Sequence, residues 1–447
     1  MVNSFFMFVR MSLGAALGLA AGCGGFDAVT SGGPMGGGPA GETGGGAGSA
    51  GGVTSDAGAG VEEGGGGTPG ADVAVADANS PPPMGLHVVT APTPHIEDAD
   101  GKTVVLHGVN RSGTEYRCVQ GGTIFDGPSD DASVQAMASW KINAVRVPLN
   151  EACWLGLAQN GAMPGVSGDA YKAAIRDYVS LLQRHGLVPI LDLHWVGPGT
   201  SRADRLQPLP DADHAPSFWS DVADTFKDNG GVVFEPFNEP FPDSNRDTQT
   251  AWQCWRDGCV ANQAVAADGG AMTYQATGMQ ALVTAIRTAG ATNLVLLGGV
   301  QYSNGLSQWL TYKPVDPINN LAAAWHVYSN NPCRDATCWS GAPASVAAQV
   351  PIVATEMGES DCRGTFITPL MQFLDQHALS YLAWSWNAFG PCRPTTGTTG
   401  ATRGQPWSLV ADYATGTPNA AQADAGIAGP SYAQTFHDHV MGLGATP

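Results

Sequence analysis

Two glutamates stand at the ends of apolar, β-branched runs, where their carboxylates could take part in catalysis. Glu239 follows the run 232–237, and Glu356 ends the run 352–356. They are 356 − 239 = 117 residues apart, so they belong to different strands that a closed barrel can bring face to face. Glycoside hydrolysis with retention needs two carboxyl groups about 5–5.5 Å apart, one protonated and one ionised. We therefore predict that Glu239 and Glu356 are the catalytic pair, one as acid/base and the other as nucleophile.

Further polar side chains lie at the carboxyl ends of predicted strands. Barrel enzymes build their sites at this rim, and a buried charge without a purpose there would be costly. Arg146 is expected to keep Glu356 ionised, and the amide of Asn238 to bond a sugar hydroxyl, the 2-OH of the sugar being the one that matters in the transition state. Any one of these residues alone could equally be structural, but together they predict a polar pocket formed by Arg146, His194, Asn238, Glu239, His326, Tyr328 and Glu356.

The elements that must position these residues alternate between strand and helix. Helical periodicity appears between several of the strands, for example in 171–184 and 274–289. A hairpin over 95–97 and 103–106 is expected to close the barrel floor. Eight β,α repeats favour a (β/α)8 TIM barrel with disulfide-stapled loops over an open sheet, with strands at 108–110, 144–148, 188–194, 232–237, 294–297, 321–326, 352–356 and 381–386.

Two other glutamates compete for the catalytic roles. Glu235 lies inside a predicted strand, four residues before Glu239, and is expected to stabilise the barrel interior. Glu359 lies past the end of its strand. Neither is expected to be catalytic.

Several segments together resemble glycoside hydrolase family 5. Residues 233–240 (Val-Phe-Glu-Pro-Phe-Asn-Glu-Pro) resemble the acid/base signature of this family, and 352–358 (Ile-Val-Ala-Thr-Glu-Met-Gly) resemble its nucleophile strand. An Asn-Glu-Pro triplet alone is a weak signal, but eight positions follow in the family's order between about residue 86 and the C-terminus. The other matching segments are 145–148, 191–194, 326–328 and 383–386.

The resemblance implies roles for the remaining residues. His326 and Tyr328 would orient and hydrogen-bond the two glutamates, and His194 would bind a hydroxyl of the sugar on the non-reducing side of cleavage. Trp384 is our choice for the platform that stacks on a sugar ring. Trp386 competes for this role because residues two apart in a strand face the same way, and for either ring the alternative is barrel packing.

Six more tryptophans fall in predicted loops on or near the face formed by the carboxyl ends of the strands. Rings exposed there could stack on pyranose faces, although disulfide-stapled loops also use tryptophan as their own small core. We expect about half of the six to contact substrate: Trp154, Trp195, Trp252, Trp255, Trp309 and Trp339.

Charge and the N-terminus bear on partners and location. The formal net charge of −19 would repel nucleic acid and anionic lipid, so neither is expected as a partner. An apolar run followed by Leu-Ala-Ala-Gly-Cys resembles a bacterial lipobox. We expect a signal peptide over 1–22, a lipid anchor at Cys23 at the bacterial cell envelope, a Gly/Ala-rich flexible linker over 23–85 and a catalytic domain over 86–447. A simple secretory signal that releases the protein is the alternative.

Without Cys23, 9 − 1 = 8 cysteines remain, which suits disulfides in an oxidising compartment. Eight cysteines allow 105 pairings. The spacing favours local pairs, and we expect neither a structural metal nor a cofactor. The expected pairs are Cys118–Cys153, Cys254–Cys259, Cys333–Cys338 and Cys362–Cys392.

The sequence thus predicts an endo-acting β-1,4-glucanase of cellulase type that works as a monomer on a β-linked polysaccharide or oligosaccharide. A β-1,4-mannanase is the main alternative, and xylanases and exo-β-glucosidases share the same signature residues. A surface carbohydrate-binding protein without turnover is a rival from another class, but both glutamates are present. No Gly-x-Ser-x-Gly elbow supports an acyl hydrolase.

Overall fold

A computed structural model describes residues 85–265, 270–392, 407–421 and 429–443, except for the side chains of residues 263 and 265. The predicted signal peptide, Cys23 and all of the predicted linker before Gly85 lie outside these residues. Among the helices within the described ranges, none combines the length and the apolar character needed to cross a bilayer.

Eight parallel strands close into a barrel, as predicted. Each predicted strand is present, with its ends shifted by a few residues. The strand predicted over 232–237 stops before Pro236, which has no N–H for the ladder. The barrel strands are β4 (His107–Asn110), β5 (Ala144–Asn150), β6 (Val188–Trp195), β7 (Val233–Glu235), β10 (Val295–Gly298), β11 (Leu321–Tyr328), β12 (Ile352–Gly358) and β13 (Ser380–Ala383).

A small antiparallel sheet covers the amino-terminal end of the barrel. The predicted hairpin forms from β2 (His95–Glu97) and β3 (Thr103–Val104), and β1 (His87–Val89) adds a third strand. Leu86, Ile96 and Leu106 pack with aliphatic residues of the barrel strands into one buried cluster. This end is therefore filled with apolar side chains, which leaves polar side chains to the opposite end.

Helices pack around the outside of the barrel. The predicted helix 171–184 is α4, whose apolar face is buried through Ile175, Val179 and Leu182. The helices are α1 (Arg117–Gln120), α2 (Asp131–Ala138), α3 (Glu151–Leu155), α4 (Asp169–Arg184), α5 (Ala215–Phe226), α6 (Pro242–Asn245, a single irregular turn), α7 (Gln249–Asp257), α8 (Met279–Thr288), α9 (Trp309–Tyr312), α10 (Ala336–Trp339), α11 (Ala342–Ala347), α12 (Ile367–Gln376) and α13 (Tyr432–Gly442).

The helix predicted over 274–289 is wrong in its first turn. Residues 271–276 form β9 (Ala271–Ala276), which pairs with β8 (Cys259–Val265) in a separate hairpin. Side chains along β9 alternate between more and less exposed positions, which is a strand pattern. The helix α8 begins only after Gly278.

All four predicted disulfides are present, with Cα–Cα separations of 5.1–6.1 Å. Cys118–Cys153 joins α1, which follows β4, to α3, which follows β5. Disulfide staples therefore lie in the loops that leave the carboxyl ends of the strands.

The prediction that about half of the six loop tryptophans contact substrate is wrong. All six lie in helices or at the end of β6, belong to the main core cluster, and are at most 4% exposed. Trp255 and Trp309 donate their ring N–H groups to backbone carbonyls of β10 at 2.8 Å. These rings fill the space between the barrel and its helices, so they offer no open stacking surface.

Candidate active site

Glu356 points into the mouth of the barrel because β12 carries an extra residue. Between β11 and β12 the register changes from Ala324 opposite Val353 to His326 opposite Glu356. Two residues of β11 thus face three of β12, which is a β-bulge. The bulge lets Thr355 and Glu356 both reach inward: Thr355 Oγ1 donates to Glu235 Oε1 at 3.0 Å inside the barrel.

Glu239 follows the end of β7 and is held by the backbone of its neighbour. Asn238 N–H donates to Leu193 O at 3.1 Å, and Ser303 Oγ donates to Asn238 O at 2.7 Å. These two bonds tie the segment after β7 to the ends of the adjacent strands. Glu239 is 3% exposed, and among the described residues its Oε2 has no hydrogen-bond partner.

The two predicted catalytic carboxylates lie together. One oxygen of Glu239, one oxygen of Glu356 and a ring nitrogen of His326 are all within 4.8 Å of one another. The two carboxyl groups therefore face the same small space, where both could act on one bond.

Arg146 is the fully buried cation beneath this pair. Its Nη1 donates to Glu356 Oε1 at 2.7 Å, and its Nε donates to Glu235 Oε2 at 2.7 Å. Its Nη2 donates to Asn238 Oδ1 at 2.8 Å and lies 3.0 Å from Asp192 Oδ2. One guanidinium therefore orients both the predicted nucleophile and the amide beside the predicted acid.

His326 and Tyr328 contact the two glutamates. His326 Nδ1 lies 3.1 Å from Glu239 Oε1 and 3.6 Å from Glu356 Oε2. Tyr328 donates its hydroxyl to Glu356 Oε2 at 2.5 Å. Both side chains lie where the resemblance implied.

Their surroundings shift the pKa values of the two glutamates in opposite directions. Burial raises the pKa of Glu239, and the nearby charge of Glu356 adds to this. Burial alone would also raise the pKa of Glu356, but the charges of His326 and Arg146 outweigh it, so the pKa of Glu356 is lowered. The site thus favours a protonated Glu239 beside an ionised Glu356.

The charge of His326 is part of this balance. Burial alone would lower its pKa, but the charge of Glu356, the nearby carboxylate of Glu235 and the hydrogen bond with Glu239 raise it to about 10. The imidazole is therefore cationic at neutral pH. The positive charges of Arg146 and His326 then match the negative charges of Glu235 and Glu356, the two carboxylates whose pKa values are lowered.

His194 and Trp384 lie beside each other at the rim. His194 Nδ1 bonds Asp192 Oδ2 at 2.6 Å, and its Nε2 is 3.4 Å from the amide nitrogen of Asn238. The rings of His194 and Trp384 are nearly parallel, with centroids 5.6 Å apart. Trp386, in contrast, is fully buried and packs edge-on against Trp140.

The two rival carboxylates have structural partners. Glu235 is fully buried and bonded to Arg146 and Thr355. Glu359 accepts the N–H groups of Phe366 and Ile367 at the start of α12. Both arrangements agree with the prediction that neither acts on substrate.

Sequence reasoning gave no role to three residues that complete the site. Asp192 bonds both Arg146 and His194, and the signal for it was its position two residues before His194, on the same face of the strand. Asn110 accepts from Arg146 Nη1 at 3.0 Å. Tyr302, whose pKa is raised to about 12 by burial and by Glu239, lies in a left-handed loop turn that sequence patterns do not reveal.

The group of Glu239, His326 and Glu356 is also one of two places among the described residues that could hold a metal ion. Here the cationic Arg146 already bonds Glu356, so a second cation would be repelled. The residues at this position fit carboxylate chemistry without a metal.

A closed (β/α)8 barrel with two glutamates and a charged rim at its carboxyl-end face defines a barrel enzyme of the glycoside hydrolase class. The sequence profile of the Cellulase family, glycosyl hydrolase family 5, matches residues 97–390. The chain therefore belongs to glycosyl hydrolase family 5.

Solved structures share the fold. The catalytic domain of alkaline cellulase K is 18% identical with a TM-score of 0.54, over 83% of this chain and 98% of that one. A β-glucanase from Saccharophagus degradans is 19% identical with a TM-score of 0.52, over 82% and 95%. The catalytic domain of an endoglucanase from Thermobifida fusca is 15% identical with a TM-score of 0.50, over 80% and 97%. No curated protein sequence matches the chain.

Proposed function

We propose that the protein is a retaining endo-β-1,4-glucanase that cleaves by double displacement. One observation carries the retaining mechanism: an oxygen of Glu239 and an oxygen of Glu356 lie within 4.8 Å of each other, and the pKa values of the two residues are shifted in opposite directions. A protonated acid beside an ionised nucleophile is the starting state that retention requires.

In the first step Glu239 gives its proton to the glycosidic oxygen while a Glu356 oxygen bonds the anomeric carbon. The carbon–oxygen bond to the leaving sugar breaks, and its electron pair stays on the protonated oxygen. In the second step Glu239, now ionised, takes a proton from water, whose oxygen attacks the same carbon. Glu356 leaves as a carboxylate, so both glutamates return to their starting states.

The chain's own residues support these steps. Glu239 Oε2, which lacks a partner, is free to reach the leaving oxygen. Tyr328 and Arg146 hold Glu356 from both of its oxygens. Asn238 would bond the sugar 2-OH, and His194 and Trp384 would hold the sugar on the non-reducing side.

The choice of glucan rests on sequence. The segments 108–116 and 383–387 resemble those of bacterial cellulases more than those of other members of the family. A preference for mannan or xylan, or exo-acting cleavage of glucosides, would replace the assignment to glucan.

An assay on four polymers tests the substrate and the mode of action together. The purified protein is incubated with carboxymethyl-cellulose, glucomannan, xylan and laminarin, and the products are sized. We expect a mixture of short oligosaccharides from carboxymethyl-cellulose and an early fall in its viscosity. Faster release from another polymer, or release of glucose alone, would contradict the proposal.

A Glu356→Gln variant separates the enzyme from a binding protein. It should lose release of reducing sugar and still bind cellulose, with the wild type as the matched reference. Unchanged release would exclude Glu356 as nucleophile, and wild-type protein that binds without any release would favour a carbohydrate-binding role.

We further propose that the protein is exported and tethered to the cell envelope by a lipid on Cys23, and that it acts as a monomer without nucleic-acid partners. The lipobox-like sequence and the formal charge of −19 support this view.

A further inference from the structure

A second cluster of acidic residues and histidine lies away from the paired glutamates. Glu151 begins α3 directly after β5, and Asp211 and His214 lie in the segment between β6 and α5. The carboxylates of Glu151 and Asp211 are fully buried, while the side chain of His214 is 16% exposed. The cluster therefore has an opening to solvent on one side.

The spacing within the cluster suits ligands around one ion. His214 Nδ1 lies 3.6 Å from Glu151 Oε1 and 3.6 Å from Asp211 Oδ1. One ligand atom from each of the three residues lies within 4.8 Å of the others. These contacts are long for hydrogen bonds, but two ligands bound about 2.1 Å from an ion at tetrahedral angles lie about 3.4 Å apart.

Each of the three residues also has a buried atom that no group of the described residues bonds: Glu151 Oε2, Asp211 Oδ2 and His214 Nδ1. Glu151 Oε1 accepts Gly197 N–H at 3.1 Å, and Asp211 Oδ1 accepts His214 N–H at 2.7 Å. These are the two oxygens that lie 3.6 Å from His214 Nδ1, and each could keep its backbone bond and also bind an ion, because a carboxylate oxygen has two lone pairs. Buried polar atoms left in this way are costly unless something binds them.

The cluster lacks a permanent cation of its own. Among the described residues, the ion pairs of Glu151 and Asp211 are made with His214 alone. Asp213 adds a third carboxylate, 3.9 Å from His214 Nδ1. The buried carboxyl groups of this cluster thus have no lysine or arginine partner among the described residues, in contrast with the candidate active site, where Arg146 bonds the carboxylates.

We propose that Glu151, Asp211 and His214 bind one divalent metal ion, and that this ion is Zn²⁺. One imidazole with two carboxylates suits zinc, whereas calcium prefers six to eight oxygen ligands and no nitrogen. The ion would join the start of α3 to the segment that follows β6. The strand β6 itself carries His194 near its carboxyl end. Zinc at this site would replace the expectation of no structural metal.

The full chain, stripped of metal with a chelator, provides the test. Titration with zinc chloride, followed by calorimetry and by metal analysis after dialysis, should give one equivalent per chain. Asp211→Asn and His214→Ala should each weaken the affinity at least tenfold. His214 is partly exposed, so its variant is expected to fold, which circular dichroism would verify.

Two control variants fix the location. Glu356→Gln alters the other candidate group and should keep the one equivalent of zinc. His437→Ala removes a half-buried histidine of α13 that packs against Trp140, and it should keep the zinc as well. In wild-type protein, zinc at about 100 times its Kd should raise Tm by about 3–4 °C, and His214→Ala should abolish this rise.

Three results would overturn the proposal. The first is wild-type protein without stoichiometric zinc and with an unchanged Tm, which would mean that Glu151 and Asp211 share a proton instead. The second is zinc retained by both Asp211→Asn and His214→Ala. The third is a response to calcium but not to zinc. None of these measurements uses a glycan, so their outcome is independent of the proposed activity.

Discussion

At the scale of single residues, His326 is the cation that both candidate catalytic carboxylates share. Its ring nitrogen lies 3.1 Å from Glu239 and 3.6 Å from Glu356. Its positive charge lowers the pKa of each glutamate and so offsets part of the effect of burial. The pH range of activity should therefore depend on this imidazole.

Replacing His326 with Gln should move the whole pH profile of kcat/KM to higher pH. Activity requires ionised Glu356, which sets the acidic limb, and protonated Glu239, which sets the alkaline limb. Loss of the nearby positive charge raises both pKa values, so both limbs move up, and kcat at the optimum should fall about 10²-fold or more. Kinetics on an aryl cellobioside across pH check this, with His87→Gln, on the exposed face of β1, as the control. A pH profile whose acidic and alkaline limbs stay at the same pH would contradict the role given to His326.

Glu239→Gln should stabilise the fold at neutral pH. The pKa of Glu239 is raised in the folded protein, so its contribution to stability is fully present below its unfolded pKa and is lost as the pH rises through the folded pKa. A neutral amide removes this loss, and we expect a gain of about 1 kcal/mol at pH 7.

Thermal unfolding at pH 7 and pH 4 measures this effect. The gain should be present at pH 7 and much smaller at pH 4. Glu356→Gln is the matched variant: it breaks a bond with buried Arg146 and should lower the free energy of unfolding. A Glu239→Gln variant that is less stable at pH 7 would contradict the raised pKa.

The sequence predicted the principal site residues but not all of their partners. Arg146, Glu239 and Glu356 were found because a charge within an apolar strand or directly after it is unusual. Asn110 and Asp192 were given no role, because their part is to bond Arg146, and such contacts depend on which strands adjoin in the barrel. The bulge that aims Glu356 inward depends on the register between β11 and β12. The amino-acid sequence alone does not specify this register.

At the scale of elements, the disulfides hold loops of different lengths. Cys118–Cys153 closes a separation of 35 residues, whereas Cys333–Cys338 closes one of 5. The longer link removes more entropy from the unfolded chain.

We expect the Cys118→Ala/Cys153→Ala double variant to lose about 4 kcal/mol of stability and the Cys333→Ala/Cys338→Ala double variant about 2 kcal/mol. Denaturant unfolding of both variants and of the wild type gives the comparison. An equal loss in the two variants, or a greater loss in the second, would show that loop entropy does not govern these links.

Elements were predictable where one pattern dominated. Most of the eight strands are rich in apolar residues, and each of the eight was found. The stretch around Tyr274 was mistaken for helix because a short run of mixed residues precedes α8, and its pairing with β8 is not visible locally. The tryptophans were misjudged because loop position suggested exposure, whereas the short helices α7, α9 and α10 turn these rings toward the core.

At the scale of the whole molecule, the catalytic barrel follows a long N-terminal stretch whose residues are not among those described. We expect Cys23→Ala, expressed in bacterial cells from the full-length gene, to move most of the protein from the membrane pellet to the soluble fraction, because the acyl anchor is lost. Activity per molecule should not change. Ser31→Ala, in the same stretch, is the control, and equal membrane retention of Cys23→Ala would contradict a lipid anchor at this residue.

The central claim is that Glu356 forms a covalent bond to the sugar. A 2-deoxy-2-fluoro cellobioside with a good leaving group slows the second step, so the first intermediate accumulates. Intact mass measurement followed by peptide mapping should then find one fluorinated disaccharide per chain on the peptide that contains Glu356. A label on Glu239 or Glu359, or an unlabelled chain that still degrades carboxymethyl-cellulose, would contradict the account.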